Sequence, residues 1–422
     1  MQIITDYLVN FELNKDIASN VELFNNYDLN NKTRVEYFRR GNANIPKYIN
    51  EYWTAKQRQA NSIHEISYRA CFKPQLPRFF ISLLTKENDI VFDPFSGRGT
   101  TAIESALLNR RFIANDVNPL SIILAKPRTK PPIINEIIER IESIDFAEKL
   151  DCDIDLSMFY YQDTLNEILN LKSYLINRKQ ENKEDYIDEW IRMVATNRLT
   201  GHSKGFFSVF TLPPNQAVSS ESQKKINVKR NQIPEYRNVK EIIINKSKNL
   251  LKDIDNKIRE QLFEIARQSY YFNKDARSIN EIKDDTVSLT ITSPPFLNIV
   301  QYGQDNWLRC WFNSLDAESI SKQIVMAKTT NDWSNFIENV FNELFRITKK
   351  EGHIAFEVGE VSNGKVNLEE YVVDVGIKVG LECLGILINT QEFTKTSNIW
   401  GINNNNNGTN SNRIVLFKKN RK

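Results

Sequence analysis

The chain is poor in the residues that build metal and disulfide centres. It holds 3 histidines and 4 cysteines in 422 residues. Cys71, Cys152, Cys310 and Cys383 lie far apart, so there is no CxxC pair and no disulfide framework to read. A thiolate or imidazole zinc cluster is not expected, and no metal is assigned. No apolar run approaches the ~18 residues that a membrane span requires. The opening stretch MQIITDYLVNFELNKD has neither a basic start nor an apolar centre, unlike a signal peptide. A reducing, cytoplasmic setting with no membrane partner is the expectation. An excess of one charge is missing too: 56 Lys+Arg oppose 53 Asp+Glu, a net +3. Taken whole, that balance names no partner. With 41% hydrophobic and 26% charged residues, the composition is globular and excludes wholesale disorder.

What is present has a clear order. Residues 1–62 are polar and Asn-rich, and read as an N-terminal helical extension; YFRRGNANIPKYINEYWTAKQRQ within them mixes aromatic and basic groups and is also compatible with a nucleic-acid arm. From Asn88 the pattern changes. DIVFDPF is a short apolar run before a Gly-rich turn, as in a buried parallel strand. TTAIESALL follows at helical spacing, with Thr100 as a candidate N-cap. RFIAND is a second strand. This β-turn-α-β unit belongs to a doubly wound, Rossmann-like α/β sheet. Residues 131–265 break the alternation and are largely helical, with a polar, basic stretch at 215–248. Alternation resumes with SYYFNKDA and VSLTIT, a helix over about 332–347, HIAFEV, a helix over about 367–378, LECLGILI and RIVLFKK. INNNNNGTNSN reads as a low-complexity hairpin loop between the last two strands. The expected organisation is one split α/β domain (63–130 and 266–422) carrying an insertion at 131–265.

Two constellations carry chemistry. The first is Asp93-Pro94-Phe95-Ser96-Gly97-Arg98-Gly99-Thr100-Thr101. Its glycines let a ligand approach the backbone, and the following helix offers free N–H groups. The phosphate-loop pattern fails, because no Lys follows Gly99; Gly97-x-Gly99-x-x-Ala102 fits a loose dinucleotide fingerprint, and a tight turn alone would also account for it. Asp116, at the tip of RFIAND, suits either a ribose diol or an N-cap near Pro119. Asp275, ending SYYFNKD, suits an adenine amino group or a turn cap. The second constellation is Thr292-Ser293-Pro294-Pro295-Phe296 at the end of an apolar strand. The prolines stiffen the turn and cannot continue a ladder. Ser293 adds a hydroxyl and Phe296 a flat face, making an acceptor-lined slot for a planar base with an exocyclic amine.

Together these motifs resemble the amino-DNA methyltransferase family: DPFSGRGTT resembles its S-adenosyl-L-methionine (AdoMet) motif, and TSPPF its catalytic motif. SYRACFKPQLPRFF, with Tyr68 and Phe72, is similar to the segment closing over the methionine moiety. ANDVNPLSIILAK, with Asp116 and Asn118, resembles the ribose-acid segment, and NKDAR, with Asp275 and Ala276, the adenine-side acid. LNIVQYGQDNWLRCWF resembles the stretch behind the catalytic loop, where Tyr302 and Trp307 are pocket-wall candidates or core residues. The resemblance covers roughly 64–130 and 270–418. It implies a class I methyltransferase fold with a seven-stranded sheet, AdoMet as cofactor, and double-stranded DNA as partner, with a cognate restriction endonuclease acting separately. It also implies the motif order called alpha, in which 131–265 recognises the target. The chain departs from the usual pattern at Phe296, where Tyr is common. Ser293, in place of Asp or Asn, is the form associated with cytosine N4 rather than adenine N6.

The implied chemistry is direct methyl transfer to a flipped-out base, with acceptors at Ser293 and Pro294 around the amine and no covalent cysteine adduct. In the insertion, Lys224, Lys225, Lys229, Arg230, Arg237, Lys240, Lys246 and Lys248 form a basic block that reads as DNA contact or as a solvated face. Arg198, His202, Ser203 and Lys204, near Gly201 and Gly205, read as a DNA-facing loop or a structural turn. An N6-adenine enzyme, an RNA base methyltransferase and a dead DNA-binding regulator are the alternatives. Residues 201–250 hold 9 Lys+Arg and 3 Asp+Glu, so the small net charge conceals a basic insertion on a near-neutral body.

Overall fold

A computed structural model of the chain describes residues 2–13, 33–40, 43–53, 60–68, 71–211, 217–295, 302–324, 327, 329–361, 366–390 and 411–420. Among the described residues the strands are β1 (Arg34–Arg40), β2 (Ala43–Asn50), β3 (Ile90–Asp93), β4 (Arg111–Asn115), β5 (Tyr270–Phe272), β6 (Val287–Thr292), β7 (Thr348–Val358), β8 (Glu360–Val361), β9 (Val366–Asn367), β10 (Glu382–Thr390) and β11 (Ser411–Lys418). Nine form one sheet in the order β1-β2-β10-β11-β7-β6-β3-β4-β5, and β8 pairs with β9 alone. β5, β4, β3, β6 and β7 are mutually parallel, whereas β11 runs antiparallel between β7 and β10. This is the doubly wound, class I methyltransferase arrangement that the resemblance implies, with β3 and β6 side by side at the point where the order reverses.

Seven strands are expected and nine are found. The extra two come from the region read as a helical extension. It contributes a helix, Gln2–Val9, and then the β1–β2 hairpin, whose β2 adds in parallel to β10. RVEYFRR carries no strong period in hydrophobicity, because β1 is a mostly exposed edge strand. Its propensity becomes visible only when β2 has a sheet to join.

Period-two alternation places the two cores. Val91, Leu289, Ile291, Ala355, Leu387 and Ile414 face the helix Gln75–Leu84 and its Phe80 and Ile81. Phe92, Ile354, Phe356, Ile386, Val415 and Phe417 face the helices Thr330–Ile347 and Leu368–Lys378. Both helices lie where the apolar spacing puts them. Most of the 402–412 loop falls outside the described residues, and β11 begins at Ser411.

The insertion contributes helices Ile134–Glu142, Gln162–Gln180, Tyr186–Arg198, Ser220–Arg230 and Val239–Leu251. All of these except Ser220–Arg230 feed one apolar cluster, with Leu171, Trp190 and Val194 fully buried, that also includes Ile66, Tyr68, Leu124, Leu308 and Phe312. The insertion therefore shares one core with segments that flank the site. The helix Asn256–Arg267 falls inside the expected insertion, yet it packs Leu262 and Ile265 on Ala102, Ile103 and Phe112 of the α/β layer. No helix among the described residues is long and apolar enough to cross a membrane, and no group of metal-ligating side chains occurs among them.

Candidate active site

The carboxyl ends of β3, β4, β5 and β6 open onto one cavity lined by residues that follow each of these strands. After Asp93 the chain turns through Gly97 (φ 51°) and Gly99 (φ 79°) into the helix Thr100–Leu107. Left-handed backbone at both positions explains the two glycines. A Cβ on Gly99 would lie 2.3 Å from that of Ala125, so this glycine also lets the helix Leu120–Ala125 approach. Gly99, not Thr100, is the N-cap, and Thr100 is the first helical residue; the left-handed glycine takes the cap position without a side-chain acceptor.

Pro94, Phe95, Ser96, Gly97 and Thr100 line the cavity, as do Asp116 and Asn118 beyond β4, Asp275 and Ala276 beyond β5, and Ser293 and Pro295 beyond β6. Tyr68 and Phe72 close it from the segment before the first motif. Asp93, Gly99 and Thr101 lie behind this wall. Asp93 accepts from Thr292 Oγ1 (2.6 Å) and from the Phe95 amide (3.1 Å); burial pushes its carboxyl up to about 7. It ties the two motifs together from beneath the cavity. Pro294 is buried. Phe296 and the Tyr302 side chain lie outside what is described. Trp307 packs on Phe159 and donates to the Val218 carbonyl (3.2 Å), a core position.

Asp116 is held by two amides: Gly97 N donates to Oδ2 (2.8 Å) and Asn118 N to Oδ1 (2.9 Å). Burial raises it to about 6 against the pull of those bonds. Each oxygen keeps a further lone pair for a diol. The helix beyond, Leu120–Ala125, has Pro119 at its N-cap position, so Asp116 is not its cap. Asp275 instead sits in an exposed pair with Arg277 (2.5 Å), and that hydrogen bond holds its carboxyl below the usual range.

Six wall residues are not singled out by the sequence: Cys71, Val117 and Lys274 lie inside the resembling segments, and Gln323, Ile324 and Phe336 lie outside them. Two more act from behind the wall. Trp333 Nε1 donates to the Pro295 carbonyl (3.1 Å), pinning the Pro-Pro turn. Glu357 of β7, one step beyond the Thr292–Phe356 register pair, is a buried carboxyl raised by desolvation to about 7 and accepts from Asn412 Nδ2 (2.5 Å). HIAFEV shows Glu357 only as the one acid in an apolar strand, and that is the signal that could have found it.

The expected DNA-contacting residues divide. His202, Lys204, Lys224, Lys225, Lys229 and Arg230 are exposed; Lys224 pairs with Asp155 (3.4 Å) and Arg230 lies 3.7 Å from the centre of the Phe210 ring. Arg198 and Arg237 do not stand out to solvent. Arg198 is buried, packed on Phe206 and bonded to Asn197 Oδ1 (2.8 Å), and desolvation lowers its guanidinium to about 10. Arg237 is half-buried and donates to the carbonyls of Ser203 (2.8 Å) and Phe206 (2.9 Å). Both support the 201–206 loop, which a charge count cannot distinguish from facing a partner. Lys240 lies over Phe146, Lys246 donates to the Glu65 carbonyl, and Lys248 is exposed. Val228 (83% exposed) and Ile233 (80%) stand among the free-facing basic side chains.

A family model described as DNA methylase matches residues 5–126, and another described as D12 class N6 adenine-specific DNA methyltransferase matches 72–261. Over residues 5–261 the chain is thus similar to AdoMet-dependent amino-DNA methyltransferases. The chain is 22% identical over 313 residues to the Type II methyltransferase M.MvaI of Kocuria varians, covering 67% of this chain and 65% of that protein. It is 46% identical over 52 residues to the Type II methyltransferase M.HindIII of Haemophilus influenzae, covering 12% and 17%. The matches thus span less than two thirds of the length of these relatives. Among solved structures, an rRNA methyltransferase, aviRa from Streptomyces viridochromogenes, is 9% identical with a TM-score of 0.33, covering 85% of this chain and 89% of that one.

AdoMet is the cofactor of the family, and the cavity fits it. The Ser96 hydroxyl is buried with no hydrogen-bond partner among the described residues, a donor and acceptor waiting for a ligand. Asp116 offers acceptors to a diol, and Tyr68, Phe72, Phe95 and Phe336 offer apolar faces.

Proposed function

We propose that the chain is a site-specific DNA methyltransferase acting on the exocyclic N4 of a flipped-out cytosine in duplex DNA, as the modification enzyme of a restriction-modification system. The observation that carries this reading is that Ser293 and Asp116 line one cavity. A transfer site and a cofactor site are thereby adjacent, as direct transfer demands. Bound AdoMet supplies an electrophilic methyl group. Tyr68, Phe72, Ser96, Gly97, Asp116, Asn118, Asp275 and Ala276 hold it, and the Asp93–Thr292 bond keeps its loop in register with the Ser293–Pro294–Pro295 turn. The amine of cytosine is a poor nucleophile because its lone pair is delocalised into the ring. Ser293 Oγ and the Pro294 carbonyl act as acceptors that favour a pyramidal nitrogen aimed at the methyl. Phe296 stacks on the extruded base. Exposed Lys204, Lys225, Lys229 and Arg230 meet phosphates.

A second reading, adenine N6, draws on the D12-class match over 72–261; the same acceptors suit that amine. Ser293 favours cytosine. Expression in a methylation-free host followed by single-molecule sequencing decides. N4-methylcytosine at one short motif is expected; N6-methyladenine would replace the first reading with the second, and unmodified DNA would overturn both.

A further inference from the structure

The helix Ser220–Arg230 is seated on the protein by polar side chains. A surface helix ordinarily packs through an apolar stripe, but in this one Gln223 alone is buried. Gln223 Nε2 donates to the Phe210 carbonyl (3.0 Å) and Asn227 Nδ2 to the Met158 carbonyl (2.8 Å). The Arg230 guanidinium lies 3.7 Å from the centre of the Phe210 ring. Just past the left-handed Asn231, Gln232 Nε2 also donates to Phe210 O (2.9 Å). Residues 223, 227 and 230 are spaced i, i+4, i+7, so they share one face. At about 100° per residue, the opposite face carries Glu221, Lys224, Lys225, Val228 and Lys229. All five are exposed; Lys224 pairs with Asp155 (3.4 Å), and Val228 is 83% exposed. The amides thus point in and the valine points out, the reverse of a helix whose outer face meets only water. The helix is also tied to the transfer side of the cavity. Just before its N-cap Ser219, Ala217 N donates to the Asp305 carbonyl (3.1 Å), and the Val218 carbonyl accepts from Trp307 Nε1 (3.2 Å). Asp305 and Trp307 belong to the segment that follows the Ser293–Pro294–Pro295 turn in the chain.

We propose that this outer face enters the major groove of duplex DNA, that Val228 reads the C5-methyl group of a thymine in the recognition site, and that Lys225 and Lys229 meet the flanking phosphates. The proposal rests on the methyltransferase reading above and names the residue through which that enzyme chooses part of its site. The major groove, about 12 Å wide, admits a helix. The thymine methyl is the apolar group that base pairs present there, and an apolar side chain is its partner. Lysines on both sides of Val228 complement the phosphate charge. Because hydrogen bonds already fix the helix, little backbone order has to be gained on docking.

The test starts from the methylated site as mapped in a methylation-free host. Duplexes carrying that site, with each thymine replaced in turn by deoxyuridine, lose one methyl group and nothing else. Their binding to the full chain is read by fluorescence anisotropy. One replacement is expected to weaken wild-type binding roughly fourfold, about what burying one methyl is worth. Val228→Ala is expected to bind the thymine and deoxyuridine duplexes equally at that position, and to keep AdoMet affinity within about twofold, since an exposed side chain leaves the fold intact. A deoxyuridine penalty that persists in Val228→Ala, a wild-type protein indifferent to every replacement, or a mapped site without an A·T pair would overturn the proposal and leave the methyltransferase reading standing. Unmodified host DNA would bring down that reading and the proposal with it. A Val228→Ala chain that binds DNA as wild type does but sediments differently would overturn the proposal and assign this face to contact between copies of the chain.

Discussion

Asp116 shows how one side chain is tuned by competing effects. Burial disfavours its charge, and the amides of Gly97 and Asn118 favour it; burial wins, leaving it near 6. The consequence has a definite sign. In the proposed ribose role a diol donates to the carboxylate, so cofactor affinity is expected to be full above about pH 6 and to fall as the pH drops through that value. Calorimetric AdoMet titrations between pH 5 and 8 should show this decline. Asp116→Asn should weaken binding at pH 8 by roughly tenfold or more and remove the dependence; an identical pH profile in the variant would refute the ribose role. For stability the sign is opposite to that of an ion-paired acid. Because Asp116 and Asp93 bind protons more tightly when folded (about 6 and 7 against 3.8), each contributes stability below pH 4 that is lost as pH rises to 7. Asp93→Asn should therefore narrow the fall in thermal midpoint between pH 5 and 7 relative to wild type, even if it lowers the midpoint through loss of the Thr292 bond.

The segment around residues 62–72 carries Tyr68, Cys71 and Phe72 to the cavity, and it is held by its carbonyls. Arg98 donates to Ile66 O (3.0 Å) and Phe72 O (3.3 Å), Arg128 to Ile63 O (3.3 Å), Arg309 to Ser67 O (3.1 Å), and Lys246 to Glu65 O. Asn197 exchanges two bonds with Ser67, N–H to Oδ1 (3.1 Å) and Nδ2 to O (2.7 Å). Two of these anchors, Asn197 and Lys246, belong to insertion helices, so the element that closes over the cofactor is gripped by the element expected to read DNA. Asn197→Ala leaves the half-buried Ser67 amide without its acceptor and removes one of the two donors to the Ser67 carbonyl. It should raise the AdoMet dissociation constant roughly tenfold though it touches no cavity atom; unchanged affinity by calorimetry would show that the grip does not set the closed form. Single Arg, Lys and Asn residues scattered from Arg98 to Arg309 carry no sequence signal of this strap, because each donates to a carbonyl, and carbonyls have no sequence.

Across the whole molecule, charge is divided as the sequence indicates. The +6 of residues 201–250 sits largely on exposed side chains around the helix Ser220–Arg230, in which Gln223 alone is buried. Replacing Lys225, Lys229 and Arg230 by Glu should weaken DNA binding and shallow the plot of log affinity against log salt by about 0.9 for each phosphate no longer neutralised, with AdoMet affinity unchanged. A salt slope equal to wild type would make this block solvated surface. What the sequence determined alone is what short-range pattern encodes: β3-turn-helix-β4 and the β6–Pro-Pro turn, the later helices, and the left-handed glycines. Tertiary structure decided which strand ends meet. It placed Asp93 behind the cavity and Asp116 in its wall, drew β1 and β2 onto the sheet edge, buried Arg198 and half-buried Arg237, and set Glu357 of β7 next to Ser293 in register at the end of β6. Hydrophobic period and turn chemistry act between near neighbours in the chain, whereas burial, cross-strand register and the partner of a polar group depend on packing between distant segments.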